Sequence, residues 1–506
     1  MNSSDLTQRR ARLTPEQRKK LAQRLTGANA PARQPNIPRR DSTGPAPLSY
    51  AQQRHWFLWQ LEPLSTAYHI SGGLRLVGKL DIEALRSSFE ALGRRHESLR
   101  TVFRANAEGL PEQIIEDEPG LAISLIDFSD LSAEQGRVRA YEEANRINAM
   151  PFDLTQGPLL RLALIRIAPE EHLLVVVMHH IISDAWSNRI VIDEFAAHYR
   201  LRVQQEGEGQ EPSLPALTIQ YADYAAWQRN WLEAGEKERQ LAYWRSQLGE
   251  EHPVLQLPTD HPRPSVASYR AGRHIFMLPA GLVGGLQRQA QSQGATLFMA
   301  LLAGFQALLH RYSGQHDIRV GVPVANRHRF EIENIIGLFV NTQVLRARID
   351  GRMSLKAILN EVREAALGAQ THQDLPFEQL VEALQPERNL NQNPLFQVMY
   401  NHLREDYRAL ERLPGLTVED HELSKLAAQF ELTLDTVEYP DGRLEAIFTY
   451  AAELFESATI ERLGEHYLHL LEQLAGHPER SLGDIDILSE AERGQLRAWG
   501  VNDRRY

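Results

Sequence analysis

The segment Leu173-Leu174-Val175-Val176-Val177-Met178-His179-His180-Ile181-Ile182-Ser183-Asp184-Ala185-Trp186-Ser187 passes from an unbroken apolar run to a cluster of titratable residues within a few positions. The β-branched, uninterrupted run predicts a strand buried on both faces. Ser183 and Asp184 then open a helical pattern with Trp186, Ile190, Phe195 and Tyr199 on one side, so the histidines fall at a strand-to-helix junction near a helix N-terminus. Polar groups held at the end of a rigid element are where chemistry concentrates. Neighbouring strand residues face opposite ways, so one histidine can look into a given cavity while the other packs behind it.

Outward from this junction the chain alternates strands and helices. The first half predicts a strand at Gly73–Gly78, a helix at Ile82–His96, a strand at Leu99–Arg104, and a hairpin of Leu159–Ile167 with His172–Met178 across Ala168-Pro169-Glu170-Glu171. The second half predicts a strand at His274–Leu278, helices at Gly281–Gln293 and Thr296–Tyr312, a strand at Asp317–Pro323, and a final helix from Ala458 to Ala475. Leu432–Val437 and Leu444–Tyr450 flank Pro440-Asp441-Gly442 as a second hairpin. The apolar helix Leu297–Leu309 reads as core. At 506 residues the chain exceeds what one core organises. The expectation is an α/β (α+β) fold with mixed sheets in two similar lobes: a basic N-terminal segment at 1–45, lobes at 46–248 and 267–490, a proline-rich connection at 249–266, and a linker at 491–506.

The net charge of −11 is uneven: residues 1–40 carry ten basic against two acidic residues, a net +8, which leaves −19 for the rest. That balance argues against nucleic-acid binding. Within the basic segment Thr14-Pro15-Glu16 reads as a helix start ahead of Leu21 and Leu25, a solvated linker or a docking element. No long apolar run predicts a membrane span and no signal peptide opens the chain, so the expected location is the cytoplasm. With no cysteine there is neither a disulfide framework nor a thiolate nucleophile or metal site. Thiol chemistry must come from a partner.

Taken in order, the motifs resemble those of condensation domains of nonribosomal peptide synthetases, over about residues 46–490. Ser49-Tyr50-Ala51-Gln52-Gln53-Arg54-His55-Trp56-Phe57-Leu58 resembles the first signature of that family, and Arg95-His96-Glu97-Ser98-Leu99-Arg100-Thr101-Val102-Phe103 the second. His179 to Asp184 resembles the histidine motif, with Ala185 where the family has glycine. Tyr221 to Trp227, Ile336 to Thr342, His372 to Glu378, and Arg388-Asn389 through Gln397 resemble the later signatures.

The resemblance implies two chloramphenicol-acetyltransferase-like lobes in a V-shaped pseudo-dimer. Between them would run a tunnel reached by the phosphopantetheine arms of an upstream donor and a downstream acceptor carrier protein. It implies an acyltransferase that forms one amide bond, binds no cofactor or metal of its own, works as a monomer, and leads toward an adjacent adenylation domain. By the same resemblance His180 is the catalytic histidine, as general base or as a positioning group; His179 supports it, and Asp184 forms a structural ion pair with Arg95. Ser183, Trp186 and Asn341 are candidates for the tunnel lining, with a role in the fold as the alternative for Asn341 and core packing as the alternative for Trp186, and Ala185 is expected to be tolerated. The segment Ile485-Asp486-Ile487-Leu488-Ser489 and the terminal Trp499-Gly500-Val501-Asn502 resemble the linker approaching an adenylation domain, so the chain resembles one excised domain or the first portion of a module. No Glu-Gly-His-Gly-Arg-Glu segment of the epimerisation type is present, and aspartates do not replace the histidine pair as in heterocyclisation domains. The alternatives left open are a starter domain that takes a fatty acyl group from coenzyme A and a catalytically silent recruitment domain. Among elongating types, the signatures favour an L-residue donor.

Overall fold

In the computed structural model, which describes residues 36–41, 44–204, 214–264, 270–385, 393–406, 408–421, 423 and 428–500, the apolar run is a central strand, Glu171–His179. Leu173, Leu174, Val175 and Val177 are buried, as an unbroken apolar strand requires. It pairs antiparallel with His69–Gly78 on one side and with Leu160–Ala168 on the other, the second pair being the expected hairpin. Ile123–Asp127 adds a parallel edge strand. The opposite edge is Leu416–His421, a strand from the second half of the chain paired antiparallel with His69–Gly78. Leu410, Leu413, Leu416 and Leu423 join the core of this five-stranded sheet, so the second half of the chain completes the first sheet.

The other large sheet has six strands in the order Asn341–Arg348, Asp317–Val324, Val398–Arg404, Leu432–Glu438, Leu444–Ala451 and Ala271–Leu278. The hairpin of Leu432–Glu438 with Leu444–Ala451 is the predicted one. Helix Leu297–Ser313 is buried from Met299 to His310 and forms the centre of this second core. A small sheet of Ala46–Pro47, Pro111–Ile115 and Thr101–Ala105 shares no strand with either, and its Phe103 packs into the core of the five-stranded sheet. Its last strand begins two residues later than expected because Glu97–Arg100 forms a 3-10 turn.

The described residues from Arg39 onward form one compact unit, which holds all three sheets. The helix start at Thr14-Pro15-Glu16, the pair Arg388-Asn389, and Val501-Asn502 lie outside the described residues. Residues 249–264 form a connection without regular structure, as the prolines predict. Beyond Ser489 the chain is helical over Glu490–Gly500, with no residue of that helix buried. Among the described residues, no single helix is long and apolar enough to cross a membrane.

Candidate active site

The strand Glu171–His179 ends in a 3-10 turn, His180–Ile182, and helix Ala185–Gln204 follows. His179 faces the core. Its Nδ1 accepts a hydrogen bond from Ile181 N at 3.1 Å, and its ring lies edge-on to His69 and Phe152. Burial, with His69 and His180 beside it, pushes its pKa down to about 3, which keeps the ring neutral.

His180 faces the other way and is half-buried. Its backbone N donates to Tyr68 O at 2.9 Å, and its Nδ1 lies 2.7 Å from the carbonyl oxygen of Ser183. A carbonyl only accepts, so Nδ1 carries the hydrogen and the neutral ring presents Nε2 as a lone pair. Burial lowers the pKa of this ring, against the opposing pull of Asp184 and of the Ser183 carbonyl. Among the described residues Nε2 has no hydrogen-bond partner. The ring lines a cavity that is open to solvent and walled by both halves of the chain, with Arg54, Tyr68, Tyr224, Leu338, Asn341 and Asp374 among its lining.

The signatures converge here through hydrogen bonds between distant segments. Ser49 caps helix Tyr50–Leu61 in a reciprocal capping box with Gln52, and its Oγ meets Tyr221 Oη at 2.8 Å. Tyr221 donates in turn to the Leu338 carbonyl. The Gln52 amide reaches the carbonyl of Ile181, inside the histidine turn, at 3.4 Å.

Asp184 is buried at 1% exposure, and its ion partner is Arg327, not Arg95. Its Oδ1 accepts from Ser187 N at 2.8 Å, Ser187 Oγ at 2.7 Å and Arg327 Nη2 at 3.0 Å, while Oδ2 accepts from Phe339 N at 2.9 Å. Arg327 also donates to the carbonyls of Ile332 and Ile335 and stacks on the Phe339 ring at 4.1 Å. The carboxylate therefore caps helix Ala185–Gln204 and ties it to the Ile336–Thr342 signature. Arg95 instead pairs with Glu194, at 3.1 Å from Oε1, and His96 takes the other carboxylate oxygen at 2.8 Å. The expected Asp184–Arg95 pair fails because Arg95 sits at the far end of helix Ile82–Arg95, level with the middle of helix Ala185–Gln204 and not with its start.

Of the residues expected to line the tunnel, Asn341 lines this cavity, yet its amide is spent on the fold. Nδ2 donates to the carbonyls of Gln373 at 3.0 Å and Leu375 at 2.7 Å, and Oδ1 accepts from Phe377 N at 3.0 Å. It fixes the rim that carries Asp374 and Glu378. Ser183 and Trp186 are not in the lining: Ser183 is buried and contributes its carbonyl, while Trp186 is 43% exposed and donates to the Glu333 carbonyl at 3.0 Å. Ala185 is exposed, the first residue of its helix, with no positive φ. A methyl group there meets neither strain nor the cavity. Sequence reasoning missed Arg327, together with the Arg54–Glu378 pair that meets across the cavity at 3.5 Å. Both members of that pair stand inside family-like signatures, but no local pattern links residues so far apart.

The condensation domain family model matches residues 42–497. This chain belongs to that family. It is 45% identical over 452 residues to one of the linear gramicidin synthase proteins of Brevibacillus parabrevis, covering 89% of this chain and 9% of the relative. It is 40% identical over 496 residues to the phosphinothricin tripeptide synthetase PhsC of Streptomyces viridochromogenes, covering 97% of this chain and 45% of the relative. The condensation domain thus spans less than half the length of either. Among solved structures, the X-domain from teicoplanin biosynthesis, in complex with OxyB, superposes with a TM-score of 0.80 at 28% identity over 91% of this chain and 100% of that one. A four-domain nonribosomal peptide synthetase bound to AMP and glycine gives 0.80 at 25% identity, over 91% of this chain and 35% of that one. The architecture is accordingly the chloramphenicol-acetyltransferase-like condensation fold.

Proposed function

We propose that this condensation domain forms an amide bond by moving an upstream acyl or peptidyl group from its thioester to the amine of a downstream aminoacyl thioester. Both substrates arrive on phosphopantetheine arms of carrier proteins, with an adenylation domain as neighbour. One observation carries the reading: His180 presents an unpaired Nε2 to an open cavity walled by both halves of the chain. The amine nitrogen attacks the thioester carbon, a C–N bond forms, and the C–S bond breaks. Nε2 takes the proton that the nitrogen loses, and the departing thiolate recovers it as a thiol. Confinement of two tethered reactants supplies a further part of the rate. The names of a relative, a tripeptide synthetase, and of a structural neighbour, a nonribosomal peptide synthetase, support the same reaction class.

The likeness to an X-domain solved in complex with another protein favours a second reading, a silent recruitment domain. Purified chain offered a small matrix of acyl-loaded and aminoacyl-loaded carrier proteins, plus acyl-coenzyme A, separates the cases by mass spectrometry. Amide from carrier-bound donors, lost in His180→Ala with melting unchanged, is the expected result. Product from coenzyme A donors alone assigns a starter domain, and none from any donor leaves recruitment.

A further inference from the structure

The cavity holds a second imidazole. Helix Tyr50–Leu61 turns Ala51, Arg54 and His55 toward the cavity, the spacing of one helical face. His55 is 8% exposed, its ring centroid 5.2 Å from that of His180 at an interplanar angle of 34°, and 4.7 Å from Tyr68 in an edge-on contact. Its Nδ1 is enclosed and has no hydrogen-bond partner. Among the described residues Nε2 has none either, which makes Nε2 the edge that reaches the cavity.

Buried N–H groups without a partner are rarer in folded proteins than acceptors that lack one. The favoured neutral tautomer therefore leaves Nδ1 bare and puts the hydrogen on Nε2. Burial, reinforced by His180, His179 and Arg54, keeps the ring neutral, so a single hydrogen has to be placed. His180 is locked into the opposite tautomer by Ser183. The two adjacent rings then offer complementary edges, one accepting and one donating.

We propose that His55 is a catalytic residue of this domain, donating Nε2–H to the thioester carbonyl oxygen while His180 accepts from the amine. This rests on the amide-forming reading above. As the C–N bond forms, the carbonyl π electrons move onto oxygen. The His55 hydrogen bond holds that oxyanion without transferring its proton, and the electrons return as the C–S bond breaks. A donor already aimed at the developing charge contributes most in the transition state.

The test uses the full chain with the carrier-bound pair that the parent turns over. His55→Leu should slow single-turnover amide formation by roughly 10²–10³-fold, with half-saturating acceptor concentration and melting temperature unchanged. His55→Gln, which keeps an N–H donor, should recover at least about tenfold of that loss. Selective ¹⁵N-histidine labelling, with the His55 signal assigned by its absence in His55→Leu, should report hydrogen on Nε2. Leu turnover within about twofold of the parent, or hydrogen on Nδ1, overturns the assignment and leaves the amide-forming reading intact. A parent that forms no amide from any donor removes both.

Discussion

Replacing Asp184 with Asn preserves the shape of the side chain and deletes one charge, and the surroundings set the size of the effect. Oδ1 serves Ser187 N, Ser187 Oγ and Arg327, and Oδ2 serves Phe339 N. An amide supplies one oxygen, so in either orientation a buried donor meets an NH₂ group. Arg327, 7% exposed, also loses its counter-charge. Breaking a buried pair by removing one partner costs on the order of 3–5 kcal/mol. Arg327→Met alone should cost a similar amount. The double variant has no unpaired charge and should be less destabilised than the sum of the single variants by about 2 kcal/mol or more. Arg95→Met supplies the control: because Arg95 holds Glu194, its effect should add to that of Asp184→Asn within about 0.5 kcal/mol. Thermal melts followed by circular dichroism on the five variants complete both cycles. Additivity with Arg327→Met, or coupling with Arg95→Met, would refute the pairing.

Three further outcomes follow from the same geometry. His179 is held near pKa 3 in the folded chain against an ordinary 6.5, so its contribution to stability is full above pH 6.5 and is lost as pH falls toward 3; the slope is up to about 1.4 kcal/mol per pH unit. His179→Asn keeps an acceptor for Ile181 N without titrating, and should flatten melting temperature against pH between 6.5 and 5; an unchanged slope contradicts the cause. A Cβ on Gly337 would overlap the Tyr221 ring, whose hydroxyl is fixed by Ser49 and Leu338. Gly337→Ala should therefore cost about 1–3 kcal/mol or more in a denaturant titration, and a parental midpoint would show that the ring yields. Ala185→Gly should leave turnover within about twofold and destabilise by at most about 1 kcal/mol; a large gain in rate would mean that the methyl group obstructs substrate after all.

What could be read from residues alone was local. The strand ending at His179, both hairpins and the buried helix Leu297–Ser313 announce themselves because their patterns are complete within a dozen or so neighbours. The edge strands Ile123–Asp127 and Leu416–His421 did not, since each leaves much of its surface exposed and lacks an apolar run. The same division holds at the site. The tautomer of His180 is decided three residues away, by Ser183 O, within the reach of a local pattern.

The partner of Asp184 lies 143 residues downstream, where no periodicity reaches, and a nearer arginine in a family-like signature drew the assignment instead. Buried charge obeys a rule of compensation that sequence can invoke but cannot address: it states that Asp184 needs a cation and leaves open which one. His55 is the converse case. It stands inside the first signature, yet only the fold shows that its helix face meets the cavity and that its ring has nothing to bond. Reactive geometry in this domain is therefore assembled from elements whose individual patterns are legible and whose meeting is not. The residues worth testing are those where a polar atom of the assembled site is left without a partner.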